Sequence, residues 1–161
     1  MHHKESHILI LKNIARFIDL TTLEQQKYLS LLTEIEVKKK TFLMQAGDIT
    51  SYEYFITKGC LKVYTLDEDG APHISMFAVE DYWTGDMASF MTKEPTRYFI
   101  KATEDSELLG ISRANYELLF QEIPKFERFY RCLLYTSPSP RDISAYLVCR
   151  LLLEKRGGGG G

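Results

Sequence analysis

From Gln45 to Ala102 the chain is cut into short runs of alternating apolar and polar residues by Gly47, Gly59, Gly70 and Gly85. A period of two, closed every few residues by turn formers, specifies strands and leaves no room for a long helix. The same period begins upstream and continues downstream, so that Ile35-Val37, Tyr54-Ile56, Leu61-Val63, Ile74-Met76, Tyr98-Ile100 and Leu109-Ile111 read as successive short strands. Asp67-Glu68-Asp69-Gly70 forms a hairpin loop with glycine at the position that needs positive φ, and Lys58-Gly59 is a second tight turn. Many short strands at regular spacing predict an antiparallel roll or sandwich.

Helices flank this region on both sides. Ile8, Leu11, Ala15 and Ile18 share one face of a first helix, and Thr21-x-x-Glu24 is a capping box that opens a second, running to about Leu32. After the last strand Ser112 caps a helix whose Tyr116, Leu119, Phe120 and Ile123 recur at i, i+3, i+4 and i+7 before Pro124 stops it. Phe126, Phe129 and Tyr130 start a further helix.

The order helix, helix, β-roll, helix, helix, together with the strand spacing and the glycines, resembles the effector domain of the Crp/Fnr family of bacterial transcription regulators. The resemblance covers residues 8 to 131 and implies a mainly β fold with flanking helices, an antiparallel β-roll (double-stranded jelly roll) of the cyclic-nucleotide-binding type. It implies a sensor domain over residues 1–125 and the start of a dimerisation helix over 126–131. In that family the last helix pairs with its twin in a homodimer and leads into a winged helix-turn-helix that reads DNA. Phe126, Phe129 and Tyr130 would then serve either dimer contact or packing onto the roll.

The resemblance also places a ligand cassette. Gly85-Asp86-Met87-Ala88-Ser89 fits the place of the family's Gly-Glu-Leu-Ala-Leu, whose turn offers backbone N–H groups to a phosphate and whose carboxylate takes a ribose hydroxyl. Asp86 is one methylene shorter than glutamate and is equally suited to capping the helix that follows. One residue more than the family's Gly-Asp-aromatic-x-Gly spacing separates Asp81-Tyr82 from Gly85. The family's phosphate-binding arginine maps onto Thr96, with Arg97 one residue late, and a slip of one on a strand reverses the face. If Tyr98, Ile100 and Ala102 point inward, Thr96 does too and Arg97 points out, unless a bulge after Pro95 turns it. These departures leave three readings of the effector: a cyclic nucleotide, another small molecule, or none. Phe77, Tyr82, Trp83 and Phe90 cluster in sequence around the cassette, as an aromatic-lined pocket or as core.

Composition removes several alternatives. Cys60 is the one cysteine before residue 132, which excludes a disulfide framework, a CxxC metal site and a thiolate-held iron–sulfur cluster. Of the four histidines, His2, His3 and His7 sit in a terminus expected to fray, and His73 alone lies among the strands, too few for a cupin-type metal centre. No nucleophile triad, phosphate loop or carboxylate pair is present, so no enzyme is expected. No apolar run reaches the length of a membrane span, and a reduced, cytoplasmic protein is expected.

The last segment is of a different kind. From Cys132 the text CLLYTSPSPRD has neither a helical nor a strand period, and it back-translates into codons that resemble a transposon-end sequencing adaptor. Tyr146 to Lys155 continue the match, and Gly157 to Gly161 follow as glycine codons. The other reading is a Pro/Ser linker, a short helix at Leu147 to Leu153 and a glycine tag. Residues 132–161 are therefore expected to be an adaptor-derived tail, with DNA recognition left to a C-terminal domain that this sequence lacks. The tail's Arg141, Arg150, Lys155 and Arg156 against Asp142 and Glu154, taken from 20 basic and 22 acidic residues, leave 16 and 20, a net charge of −4. An acidic domain binds polyanions poorly, and the basic run Lys38-Lys39-Lys40 reads as a solvated strand edge or, less in keeping with the balance, a phosphate grip. The function expected is ligand sensing for a Crp/Fnr-like regulator; the alternative is a stand-alone regulatory or interaction module on the same fold.

Overall fold

The computed structural model describes residues 2–135. Helix α1 (His2–Ala15) and helix α2 (Thr22–Ser30) precede eight strands: β1 (Leu32–Val37), β2 (Phe42–Met44), β3 (Tyr52–Lys58), β4 (Cys60–Leu66), β5 (Pro72–Val79), β6 (Trp83–Thr84), β7 (Phe99–Ala102) and β8 (Ser106–Ser112). A short helix α3 (Met87–Thr92) interrupts them after β6, and helices α4 (Arg113–Glu122) and α5 (Lys125–Tyr135) close the described chain. The strands form two antiparallel four-stranded sheets, in the orders β1-β8-β3-β6 and β2-β7-β4-β5. This is the mainly β roll with flanking helices that the alternating runs predict.

The two sheets enclose an aliphatic interior made by Val37, Met44, Ile56, Leu61, Val63, Ala78, Ile100, Ala102 and Leu108 with one buried ring, Tyr54. On the other side of the first sheet, the helices bury a second core built on Tyr28, Phe55, Phe90, Tyr116, Phe120, Phe126, Phe129 and Tyr130. Every strand expected from the sequence is present, and β2 and β6 are additional. At three and two residues they are too short to establish a period.

Several helical details differ from expectation. The buried face of α1 is Ile10, Asn13 and Ile14, while Ile8 is 45% exposed and Ala15 faces solvent. The polar Asn13 in the middle of the true face hid it, since a pattern that counts only apolar residues slides to the next register. The N-terminal histidines are part of α1 rather than a frayed end, and His3 contacts Glu34. Thr21 caps α2 as predicted, its hydroxyl accepting from Glu24 N at 3.2 Å, but the helix stops at Ser30. Lys38-Lys39-Lys40 occupies the turn between β1 and β2, not a strand edge, with Lys40 at φ 69°.

Phe126, Phe129 and Tyr130 lie fully buried in this chain's own helical core, where Phe126 stacks on Tyr28 at 4.7 Å. Helix α5 continues four residues past Arg131, and Leu133 packs against that core. Of the expected tail, the adaptor match beyond Tyr135 lies outside the described residues.

Candidate functional site

The cassette turn begins at Gly85, whose φ of 144° favours glycine and whose missing Cβ leaves room for a carboxylate: a methyl there would stand 3.1 Å from Glu53 Oε2. Glu53 is 6% exposed, on β3, directly behind the turn. Asp86 then caps α3, its Oδ1 accepting from Ser89 N at 3.2 Å. Its other oxygen, Oδ2, accepts a 2.7 Å hydrogen bond from the Thr96 hydroxyl. Both carboxylate oxygens are thereby engaged from within the chain.

Thr96 is 4% exposed and holds more than Asp86. Its Oγ1 accepts from Tyr98 N at 3.1 Å, its N–H donates to Asp48 O at 2.8 Å, and its carbonyl accepts from Gly47 N at 2.8 Å. Ser89, 3% exposed, accepts from Thr50 N at 3.1 Å and donates to Glu94 O. The loop before β3, the turn at Gly85 and the strand entry at Thr96 are thus tied through three short polar side chains.

Of the expected site residues, the structure brings together Gly85, Asp86, Ser89 and Thr96. Met87 turns away into the helical core and Ala88 packs against it. Arg97 is not brought in: it is exposed on the opposite side of the chain from Thr96, with its guanidinium 5.4 Å from the Tyr98 ring centre. No bulge rescues it. Tyr98 packs half-buried against the interior of the roll.

The aromatic group around the cassette does not form one pocket. Phe90 is core; Trp83 is half-buried between Phe55 and Phe129, with ring centres 5.0 and 5.5 Å away; Phe77 and Tyr82 are exposed at 51% and 48%. Neighbours in sequence were separated because β5 is an edge strand and α3 leaves the sheet.

Three residues without a signal in the sequence organise the surroundings. Arg113, the first residue of α4, donates from Nε to Phe90 O at 2.8 Å and from Nη2 to Thr50 O at 2.6 Å, and lies over the Phe90 ring. It joins the cassette helix, the loop before β3 and α4. Asn13 donates to Asp81 Oδ1 at 3.0 Å and accepts from Trp83 Nε1 at 2.9 Å, fixing α1 to the β5–β6 turn, where Arg16 also pairs with Asp81 at 2.7 Å. Glu53 completes the set, because its charge reaches the buried phenols beyond it. Burial, with a smaller contribution from Glu53, pushes Tyr28 far above the ordinary tyrosine range. Burial does the same for Tyr130, with Tyr28, Tyr116 and Glu53 adding, and lifts Tyr54 to about 12. A phenol in this region stays protonated at any physiological pH.

Among the described residues no group of three or more His, Cys, Asp and Glu side chains is placed to hold a metal ion, and no helix is long and apolar enough to cross a membrane.

Comparison with known proteins agrees with this architecture. The family model described as cyclic nucleotide-binding domain matches residues 34–122. No curated protein sequence matches the chain. Among solved structures, the catabolite activator protein of Thermus thermophilus superposes with a TM-score of 0.68 at 22% identity, covering 83% of this chain and 60% of that one. The sensor domain of the transcriptional regulator DNR from Pseudomonas aeruginosa gives 0.64 at 17% identity, covering 96% and 90%. A substituted regulatory subunit of a cAMP-independent protein kinase A from Trypanosoma brucei, bound to cAMP, gives 0.68 at 18% identity, covering 94% and 52%. The chain therefore spans little more than half of the activator and of the kinase subunit, but nearly all of the separately solved sensor domain. At these identities the superpositions establish the fold. With the family model spanning more than half of its residues, the chain belongs to the cyclic nucleotide-binding domain family.

Proposed function

We propose that the chain is the effector-sensing part of a Crp/Fnr-like, non-catalytic transcription regulator, and that its effector is a small molecule other than an unmodified cyclic nucleotide. The observation that carries the reading is the closed Asp86–Thr96 pair. A cyclic nucleotide brings a buried phosphate charge that needs a cation, and a ribose hydroxyl that needs a free carboxylate. Here Thr96 stands at the cation's place, Arg97 faces out, Arg113 is spent on two carbonyls, and both Asp86 oxygens have donors. What supports sensing is the connection outward: the turn at Gly85 backs onto Glu53, and Arg113 links the cassette helix to α4, which packs on α5. An effector that moves the turn would shift the population of α5 positions, the way a sensor controls an attached DNA-binding domain in a homodimer.

Titration calorimetry with cAMP and cGMP tests the ligand half. The expected result is no saturable heat below millimolar nucleotide, with affinity appearing in the double variant Thr96→Arg, Asp86→Glu. A micromolar dissociation constant for the unaltered chain would overturn it. Reading the gene past the codon for Arg131 by an independent library method tests the regulator half: a long amphipathic helix followed by a helix-turn-helix is expected. A frame that encodes residues 132–161 as written favours the alternative, a stand-alone regulatory module without DNA binding.

A further inference from the structure

Apart from the cassette, the outer face of the second sheet carries a pair of cationic side chains set among aromatic rings. Lys62 on β4 is paired directly opposite Lys101 on β7. The residues either side of each, Leu61, Val63, Ile100 and Ala102, are buried in the roll, so both lysines point outward. Like charges directly opposite across strands, with Cβ atoms about 5 Å apart, destabilise a sheet. Neither lysine has a carboxylate partner among the described residues, in a chain whose net charge is −2.

The surroundings reinforce the charge. Phe42 is paired opposite Lys101 and Phe77 opposite Lys62, while Tyr64 and Phe99 form the adjacent row. The backbone of the Lys38-Lys39-Lys40 turn joins the same strand end, Lys40 N donating to Ala102 O at 2.8 Å. Asp105, in the β7–β8 turn, accepts from Lys39 N of that lysine turn, and Asp67, beyond the far end of β4, is bonded to His73.

We propose that this face docks an acidic segment of a protein partner, one in which Asp or Glu side chains alternate with aliphatic ones. Ring orientation selects that occupant over a nucleic acid strand. Bases need free aromatic faces to stack on. Tyr64 and Phe99 turn their faces to each other, 13° from parallel at 5.2 Å, and the Lys62 and Lys101 ammonium groups lie 5.0 and 4.9 Å from the centres of Tyr64 and Phe42. Tyr64, Phe99 and Phe42 each have a face occupied within the chain, and an aromatic edge carries the positive part of the quadrupole, which favours a carboxylate. The exposed apolar side chains of Ile74 and Phe77 on edge strand β5 extend the face for the aliphatic residues of the same segment. This inference does not depend on the effector.

Fluorescence anisotropy with a fluorescein-labelled peptide of Glu, Leu and Ser, its Gln counterpart and labelled oligo(dT) tests it on the full chain. The Glu peptide is expected to bind, to weaken as salt rises, and to bind Lys101→Glu about tenfold or more weakly, one tenfold step being about 1.4 kcal/mol. Lys101→Glu faces Lys62 with an opposite charge, so it is expected to melt at or above the temperature of the unaltered chain, which separates lost binding from lost folding. Equal binding by Lys101→Glu, or equal binding of the Gln peptide, would overturn carboxylate recognition. Preference for oligo(dT) would make the face a nucleic-acid platform, and self-association abolished by Lys101→Glu would make its occupant a second copy; either overturns the proposal.

Discussion

The two cores of this domain are filled by different chemistry. On the helical side, rings pack on rings: Tyr116 alone has Phe90, Phe120 and Tyr130 within 5.1 Å between centres. Inside the roll the filling is Val, Ile, Leu, Ala and Met around a single buried ring. A large aromatic brings much apolar area at few torsions, which suits a seam where helices of different direction meet a sheet. Branched aliphatics fit the pleat of two facing sheets. The lesson is a division of labour: the aromatic side anchors α5, whereas the aliphatic side keeps an interior that small changes can adjust.

Three measurements sharpen or break that contrast. The largest effect is expected from Phe129→Ala, which empties a fully buried site touching Phe17, Trp83 and Tyr130 and should cost about 3–5 kcal/mol in urea unfolding. Ile56→Val in the roll should cost about 0.5–1.5 kcal/mol.

Alkali comes next. Tyr28 and Tyr130 have folded pKa values raised above those of the unfolded chain, so the stability they confer is fully present below the ordinary tyrosine pKa of about 10 and is lost as pH rises beyond it. Each fully buried phenol then contributes a loss of about 1.4 kcal/mol per pH unit until its own pKa is reached. Tyr54, lifted to about 12, reaches that limit first. The buried phenols Tyr28 and Tyr130 should therefore ionise together with unfolding, near pH 11; their ionisation ahead of unfolding would show that the helical core admits water.

The third measurement concerns the cassette. Thr96→Val removes the donor to Asp86 and should cost about 1.5 kcal/mol, with Thr96→Ser restoring it. Hydrogen exchange at Ser89 and Phe90 should quicken in the valine variant alone. Unchanged exchange would uncouple the cassette from this pair.

What the sequence revealed follows from which signals are local. Strands with full alternation, the Thr21 and Ser112 caps and the glycine turns were legible because each is specified within a few residues. The inward Thr96 and outward Arg97 matched the alternation too, although both precede β7 and lie outside the strand. Ligand-bearing geometry was not legible: that Thr96 closes onto Asp86 requires knowing that residues ten apart meet across a turn, and Arg113 meets Thr50 from 63 residues away. The true face of α1 was missed because its key position is the polar Asn13.

That asparagine carries a further consequence. Its amide gives a proton to Asp81 on one side and takes one from Trp83 on the other, a double role that neither an acid nor a hydrocarbon of similar size can fill. Loss of ammonia at this one amide would leave two carboxyl groups facing each other where α1 meets the sheet. Any exchange of that amide for a carboxylate would unsettle the seat of α1, and the fluorescence of the single tryptophan, whose indole donates to it, would report the change.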